Sequence, residues 1–433
     1  MLQSNFAGLI DDRPEDRVFR VHRRIYTDTD VFAAEQERIF EQSWTYVCHE
    51  SQIPKPGDYY TVRLGREPVI VNRRDDGSVG GLLNACAHRG ALLTPTQRGN
   101  ARVLVCRYHG WSFAGNDGRC LKIKEPAGED PACYALRKVP RVESYRGFVF
   151  ATLNEQAPPL AEHLGAAATI IDMLADQSPD GLEVLPGVSS YIVDGNWKLQ
   201  AENGVDAYHV TTVHRNFANT VKRRDQIKGN ASGMKSTDVS RFSGELRNGA
   251  YDLGGGHNLI WTQRGDPSAA PLWEARGEVE PRVGPVKWDW MCARGRNLFL
   301  FPNLFLMDQS STQIRVLIPL SASRTEIKVY CIARKGESRE ARVARMSKFR
   351  DFFLGAGLAT TDDSAALEDT QTGAHASAEP WNSFVRGWDT VVEGPDEDAK
   401  ALGMTPASSN SRWDPETHYV GQYRRWRELM SDG

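Results

Sequence analysis

No run of roughly 18 or more apolar residues occurs in the 433-residue chain, so nothing in it is expected to span a membrane. An excess of positive charge is missing too. The 53 Lys and Arg stand against 56 Asp and Glu, a formal net charge of −3, which gives no reason to expect nucleic acid or another polyanion as a partner. Cysteine is scarce and odd in number. The seven cysteines are spread through a long chain and form no disulfide framework, which fits a reducing, cytoplasmic setting where thiolates are free to bind metal. The opening Met1-Leu-Gln-Ser-Asn-Phe-Ala-Gly-Leu-Ile-Asp-Asp-Arg carries acids early and lacks a basic stretch leading into an apolar core, so no secretory signal is expected. Repeats and low-complexity segments are also lacking. What is present is a composition of 40% hydrophobic and 25% charged residues, in a chain long enough for two cores.

The texture changes along the chain. Thr27-Asp-Thr-Asp30 before Val31-Phe-Ala-Ala-Glu-Gln-Glu-Arg-Ile-Phe40 reads as a capped start to an amphipathic helix. From about 55 to 155, short β-rich runs such as Tyr59–Leu64, Pro68–Asn72, Val103–Cys106 and Gly147–Leu153 are separated by turn residues. Asp75-Asp-Gly77 and Asn116-Asp-Gly118 are predicted hairpin turns. After Pro158-Pro159, predicted helices over 160–176, 197–215 and 337–355 alternate with strands. Thr325–Ala333 places Ile327, Val329, Cys331 and Ala333 on one face, as a half-buried strand requires, and helix 337–355 places Val343, Met346, Phe349 (or Arg350) and Phe353 on one stripe. The basic, Gly- and Ser-containing stretch 218–238 reads as a mobile loop. The expected fold is α+β: a small all-β domain near the N-terminus and a larger domain with an antiparallel sheet. The boundaries are 1–50 for a helical segment packing on the larger domain, 51–157 for the β domain and 158–433 for the larger one.

The β-rich part holds Cys86-Ala-His88-Arg-Gly and, further on, Cys106-Arg-Tyr-His109-Gly-Trp. Each loop offers one thiolate and one imidazole. In a Rieske [2Fe–2S] centre two Cys hold one iron and two His hold the other, and a close Cys–His step lets one loop reach both. A tetrahedral zinc site is the blander reading, but zinc fingers pair Cys with Cys and His with His and place the second pair on a helix. Cys48-His49 is read as structural, and Cys331 as an inert buried thiol.

In the larger domain, Asn196-Trp-Lys-Leu-Gln-Ala-Glu-Asn203-Gly-Val-Asp206-Ala-Tyr-His209-Val-Thr-Thr-Val-His214 gathers polar groups. Asp206 and His209 share one face of a helix, and His214 needs a helix end to meet His209. Two His and a carboxylate form the facial triad of non-haem Fe(II) oxygenases; the plain alternative is two histidines packing at a helix end. The carboxylate comes from elsewhere, and Asp362-Asp363 after Gly355-Ala-Gly357 is the best candidate. One acid is read as a cap or first-turn residue of a following helix, the other as free to turn toward the metal. Arg294, Arg296 and Arg315 are read as surface or structural charges.

These segments closely resemble the large subunits of aromatic-ring-hydroxylating Rieske oxygenases over nearly the whole chain. The likeness is sharpest to the benzoate and anthranilate 1,2-dioxygenase branch, in Gln177-Ser-Pro-Asp-Gly-Leu-Glu-Val-Leu, Gly195-Asn-Trp-Lys-Leu-Gln-Ala-Glu-Asn-Gly, Met307-Asp-Gln, Gln313-Ile-Arg-Val-Leu and Tyr330-Cys-Ile-Ala-Arg-Lys-Gly-Glu. The resemblance implies that Cys86, His88, Cys106 and His109 hold a Rieske [2Fe–2S] cluster and that His209, His214 and Asp363 hold a mononuclear Fe(II). It makes Asp206 a bridging aspartate, orienting His209 and reaching the cluster ligand His109 of a neighbouring subunit, and puts Asn203 near the iron. It further implies three large subunits, usually with three small β subunits, served by an NADH-dependent reductase with or without a ferredoxin. The implied reaction is cis-dihydroxylation of an aromatic carboxylate, anthranilate or benzoate, by O2. Rival readings are a Rieske monooxygenase or O-demethylase acting on a related acid such as salicylate, and a Rieske electron carrier without chemistry of its own.

Overall fold

The computed structural model describes residues 5–228, 246–309, 311–355, 357 and 359–431. The chain divides into two compact units, one of residues 33–163 and one of residues 1–32 with 164–433. Residues 33–50 therefore lie with the β-rich part, because Thr45–His49 pairs in a sheet with Phe148–Thr152.

The smaller unit is built from β1 (Thr45–His49), β2 (Asp58–Leu64), β3 (Glu67–Arg73), β4 (Val79–Leu83), β5 (Arg98–Asn100), β6 (Val103–Val105), β7 (Ser112–Ala114), β8 (Cys120–Lys122), β9 (Arg141–Tyr145) and β10 (Phe148–Thr152). They form antiparallel sheets in the orders β4-β3-β2-β5, β8-β7-β6 and β9-β10-β1. Both predicted hairpins occur, with Gly77 N–H donating to the Arg74 carbonyl at 3.0 Å and Gly118 N–H to the Ala114 carbonyl at 2.9 Å. One apolar cluster of this unit gathers Ile70, Leu82, Leu104, Trp111, Phe113 and Leu136 around Cys86 and Cys106. A second buries Cys48 among Val47, Ile53, Val69 and Val149.

In the larger unit, β11 (Leu182–Val184) and β12 (Ser189–Val193) lead into α1 (Trp197–Asn203), α2 (Val210–Val213) and α3 (Arg215–Lys228). Then come β13 (Asn248–Gly254), β14 (His257–Gln263), β15 (Arg294–Leu300), β16 (Leu304–Asp308), β17 (Thr312–Ser321), β18 (Arg324–Arg334), α4 (Arg339–Phe353), α5 (Thr360–Gly373), β19 (Val391–Glu393), β20 (Ser408–Asn410) and α6 (Tyr419–Met430). Among the described residues ten strands make one antiparallel sheet, ordered β11-β18-β17-β16-β15-β14-β13-β20-β19, with β12 also pairing with β18. The fold is thus α+β with an antiparallel sheet in the larger unit. Ile327, Val329, Cys331 and Ala333 are all buried on β18, but Tyr330, Ile332 and Arg334 on its other face are buried too, so the strand is not half-buried over its second half.

Three further expectations need correction. The helix predicted over 197–215 breaks between Asn203 and Val210, because Asp206 turns its carboxylate onto the Tyr208 N–H at 2.6 Å and competes with the helical ladder. On α4 the buried edge is Arg345, Phe349 and Phe353, while Val343 is exposed. Arg345 can be buried because it pairs with Glu337 at 2.6 Å and donates to the Thr312 hydroxyl at 2.8 Å. Residues 218–228 of the expected loop belong to helix α3; the part beyond 228 lies outside the described residues.

Candidate metal centres

In the smaller unit the two motif loops have the same backbone pattern. Cys86 N–H donates to the Ala91 carbonyl at 2.9 Å and Gly90 N–H to the Cys86 carbonyl at 2.8 Å. Cys106 N–H donates to the Trp111 carbonyl at 2.8 Å and Gly110 N–H to the Cys106 carbonyl at 2.9 Å. Each turn closes on a glycine with φ of +72° or +75°, where a side chain would be strained. The repeated turn buries both cysteines and leaves the histidines nearer the surface, their rings 4.7 Å apart. His88 stacks on the buried Trp111, ring centroids 4.7 Å apart, which fixes its plane. Burial raises the Cys86 thiol, backbone N–H groups of His88 and Arg89 work against that, and the adjacent Cys106 sulfur adds to the rise. Two neighbouring sulfurs on the inside and two imidazoles on the outside fit a cluster with sulfur ligands on one iron and nitrogen ligands on the other.

In the larger unit, the break after α1 delivers His209 and His214 to either end of the short helix α2. The third member arrives from the first turn of α5. His209 Nε2 and His214 Nε2 are 3.3 Å apart, and Asp363 Oδ1 is 3.3 Å from the first and 3.2 Å from the second. Ligands of one metal with bonds of about 2.1 Å stand about 3.0 Å apart at right angles and about 3.4 Å apart at tetrahedral angles. The triangle therefore fits a single ion, and no other His, Cys, Asp and Glu group of this kind occurs among the described residues. The α5 helix starts from Ala359, without a side-chain cap, so both Asp362 and Asp363 sit in its first turn and neither caps it.

The surroundings favour a positive charge. Asp206 Oδ2 lies 3.0 Å from His209 Nδ1, the carboxylate–imidazole arrangement that turns Nε2 toward a metal. Burial would lower the His209 pKa, but the hydrogen bonds to Asp206 and Asp363 outweigh it and push it up to about 10. Burial would raise the Asp363 carboxyl, and the His209 hydrogen bond with the charges of His214, His209 and Arg315 holds it below its ordinary range. The Asn203 amide nitrogen reaches Asp363 Oδ1 at 3.4 Å and His209 Nε2 at 3.5 Å, and its oxygen accepts from Gln200 at 3.2 Å.

The three arginines are buried rather than at the surface. Arg296 pairs with Asp308, and Arg294 packs over Trp261 and Trp290 and pairs with Asp398. Arg315 has no carboxylate within ion-pairing distance among the described residues, and its Nε has no hydrogen-bond partner. Tyr191, not singled out in the sequence, carries a buried hydroxyl equally without a partner.

Residues 176–430 match the ring hydroxylating alpha subunit (catalytic domain) family, and residues 43–145 match the Rieske [2Fe-2S] domain family. The chain is 41% identical to the large subunit of 2-halobenzoate 1,2-dioxygenase of Burkholderia cepacia, over 99% of this chain and 92% of the relative. It is 41% identical to toluate 1,2-dioxygenase subunit alpha of Pseudomonas putida, over 98% and 93%. Identity to the anthranilate 1,2-dioxygenase large subunit of Acinetobacter baylyi is 40%, over 100% and 93%. Among solved structures, a naphthalene 1,2-dioxygenase variant with bound phenanthrene superposes with a TM-score of 0.81 at 27% identity, covering 99% of this chain and 95% of that one.

Proposed function

Because the chain belongs to the family of ring-hydroxylating oxygenase alpha subunits, Rieske [2Fe–2S] oxidoreductases with a non-haem iron catalytic domain, we propose that it cis-dihydroxylates an aromatic carboxylate, with anthranilate or benzoate as substrate. The observation that carries the reading is the convergence of His209, His214 and Asp363 on one point, in a chain that also presents two buried thiols beside two outward imidazoles.

His209, His214 and Asp363 would hold the mononuclear iron, and Cys86, His88, Cys106 and His109 the cluster. When bound, the cluster supplies electrons one at a time and the iron supplies O2 activation, so that arene, O2, two electrons and two protons give a cis-diol. With only three protein ligands the iron would have room left to take O2. Asp206 accepts from His209 Nδ1 and so orients the ring with Nε2, the atom that would bind the metal, facing the triad. Asn203 donates toward the Asp363 oxygen that joins the triad, steadying it against rotation. Through His209, Asp206 also provides the electronic link to His109 of a neighbouring copy. For anthranilate the diol loses ammonia and CO2 to leave catechol.

NADH is the ultimate donor, through a separate reductase with or without a ferredoxin. The oxygenase assembles as three such chains, with three β subunits where these are present, in the reducing cytoplasm. The test is O2 uptake by the iron-loaded protein with a compatible reductase and NADH, offered benzoate, anthranilate and salicylate in parallel. Uptake matched to diol or catechol is the expected result. NADH oxidation without product from all three, by protein with an intact Rieske signal, would overturn the substrate class.

A further inference from the structure

Buried arginines on the large sheet come with partners: Asp398 for Arg294, Asp308 for Arg296 and Glu278 for Arg334. Arg315 breaks that pattern. It is 5% exposed, and no acid among the described residues lies within ion-pairing distance of it. A buried cation left this way is costly, so the fold retains it at a disadvantage unless an anion arrives from outside.

The sheet register places the guanidinium. Arg315 on β17 stands opposite Phe305 of β16 and Val329 of β18, and Val329 stands opposite Ser189 of β12. One step along the same face, Leu317 is opposite Ile327, which is opposite Tyr191. Arg315 and Tyr191 thus project from one face. That face packs against the end of α1, since a Cβ on Gly204 would lie 2.4 Å from the Phe305 ring. The helix α5 that carries Asp363 packs against both α1 and β12. The Arg315 charge is felt at Asp363, and the Tyr191 hydroxyl, raised chiefly by burial, feels Arg315 and Asp363 together.

A mainly apolar face that also carries Gln313, with a guanidinium that has no acid partner and a phenol that has no partner, beside a metal triad, matches an aromatic acid: apolar ring, planar anion. We propose that Arg315, assisted by the Tyr191 hydroxyl, receives the substrate carboxylate and so sets the preference for acids over neutral arenes. This deepens the proposed function and rests on it. A role confined to balancing the charge of Asp363 would not distinguish an acid from its amide.

Equilibrium dialysis of the iron-loaded holoenzyme against benzoate and benzamide separates these roles, with iron content and the Rieske spectrum recorded for each variant. R315Q is expected to raise the Kd for benzoate by roughly 100-fold while changing that for benzamide less than about threefold, with both metals retained. R315K, which keeps the charge but not the fork, should fall between, and Y191F should cost benzoate about tenfold. Benzoate binding undiminished in R315Q, or weakened equally with benzamide, overturns the anchor and leaves the proposed function standing. Wild-type protein that binds no aromatic carboxylate overturns both. If R315Q fails to hold iron, R315K and Y191F carry the comparison, and acid-to-amide ratios unchanged in both overturn it.

Discussion

Replacing Asp206 by Ala removes the acceptor 3.0 Å from His209 Nδ1 and the one 2.6 Å from the Tyr208 N–H. Loss of a carboxylate that orients a metal-binding histidine costs about 10- to 100-fold in metal affinity, or about 1.4–2.7 kcal/mol. The Asp206 side chain is 24% exposed, so solvent takes up part of the loss and the lower end, about tenfold, applies. D206N keeps an acceptor and should lose less. Excess Fe(II) therefore fills the triad in both variants, and the cluster, whose ligands lie in the other unit, is unaffected. If Asp206 also carries the electron link, turnover in both falls by roughly 100-fold or more even with iron saturating, because a transfer path tolerates little misplacement. The assay follows re-oxidation of the pre-reduced cluster after mixing with O2 and substrate, alongside iron content, the Rieske EPR signal and product. Wild-type re-oxidation and product formation in iron-saturated D206A would refute the bridging role.

Other predictions follow from named contacts. Glu202 is half-buried against Tyr26 (2.9 Å) and Tyr423, and loss of hydration raises its pKa from 4.5 to about 7. Its contribution to stability is fully present below pH 4.5 and is lost as pH rises through 7, by up to about 3 kcal/mol; E202Q should flatten the Tm difference between pH 5 and pH 8, and an unchanged slope would contradict this. A Gly204→Ala Cβ meets the Phe305 ring, so the variant should lose about 1–3 kcal/mol of stability and bind iron more weakly, as melting and iron content will report; wild-type values for both would show that the ring yields freely. C106S should lose the visible absorption of the cluster but keep mononuclear iron, and H214A should do the reverse; loss of both groups in either variant would contradict separate sites.

Much of this was legible in the chain because the signals are local. The two hairpins each occupy a few consecutive residues, and the structure places them as their turn residues predict; β18 forms as expected but is buried on both faces over its second half. The triad was harder. His209 and His214 come from one segment, but Asp363 arrives on a helix far along the chain, and only resemblance separated it from Asp362. The break after Asn203 was missed because a helical apolar pattern runs through it, and the Asp206 turn decides the outcome. The stripe on α4 was misplaced toward Val343, since nothing local shows that Arg345 is buried against Glu337. Arg315 was read as a surface or structural charge because arginine is usually exposed; strand register alone puts it inside.

The central claim is that this chain places both atoms of O2 on an aromatic acid. The direct measurement is turnover under 18O2 in ordinary water, with mass analysis of the product from benzoate or anthranilate. Two labelled oxygens in the diol or catechol is the predicted result. A product carrying one labelled oxygen would contradict it and make the enzyme a monooxygenase.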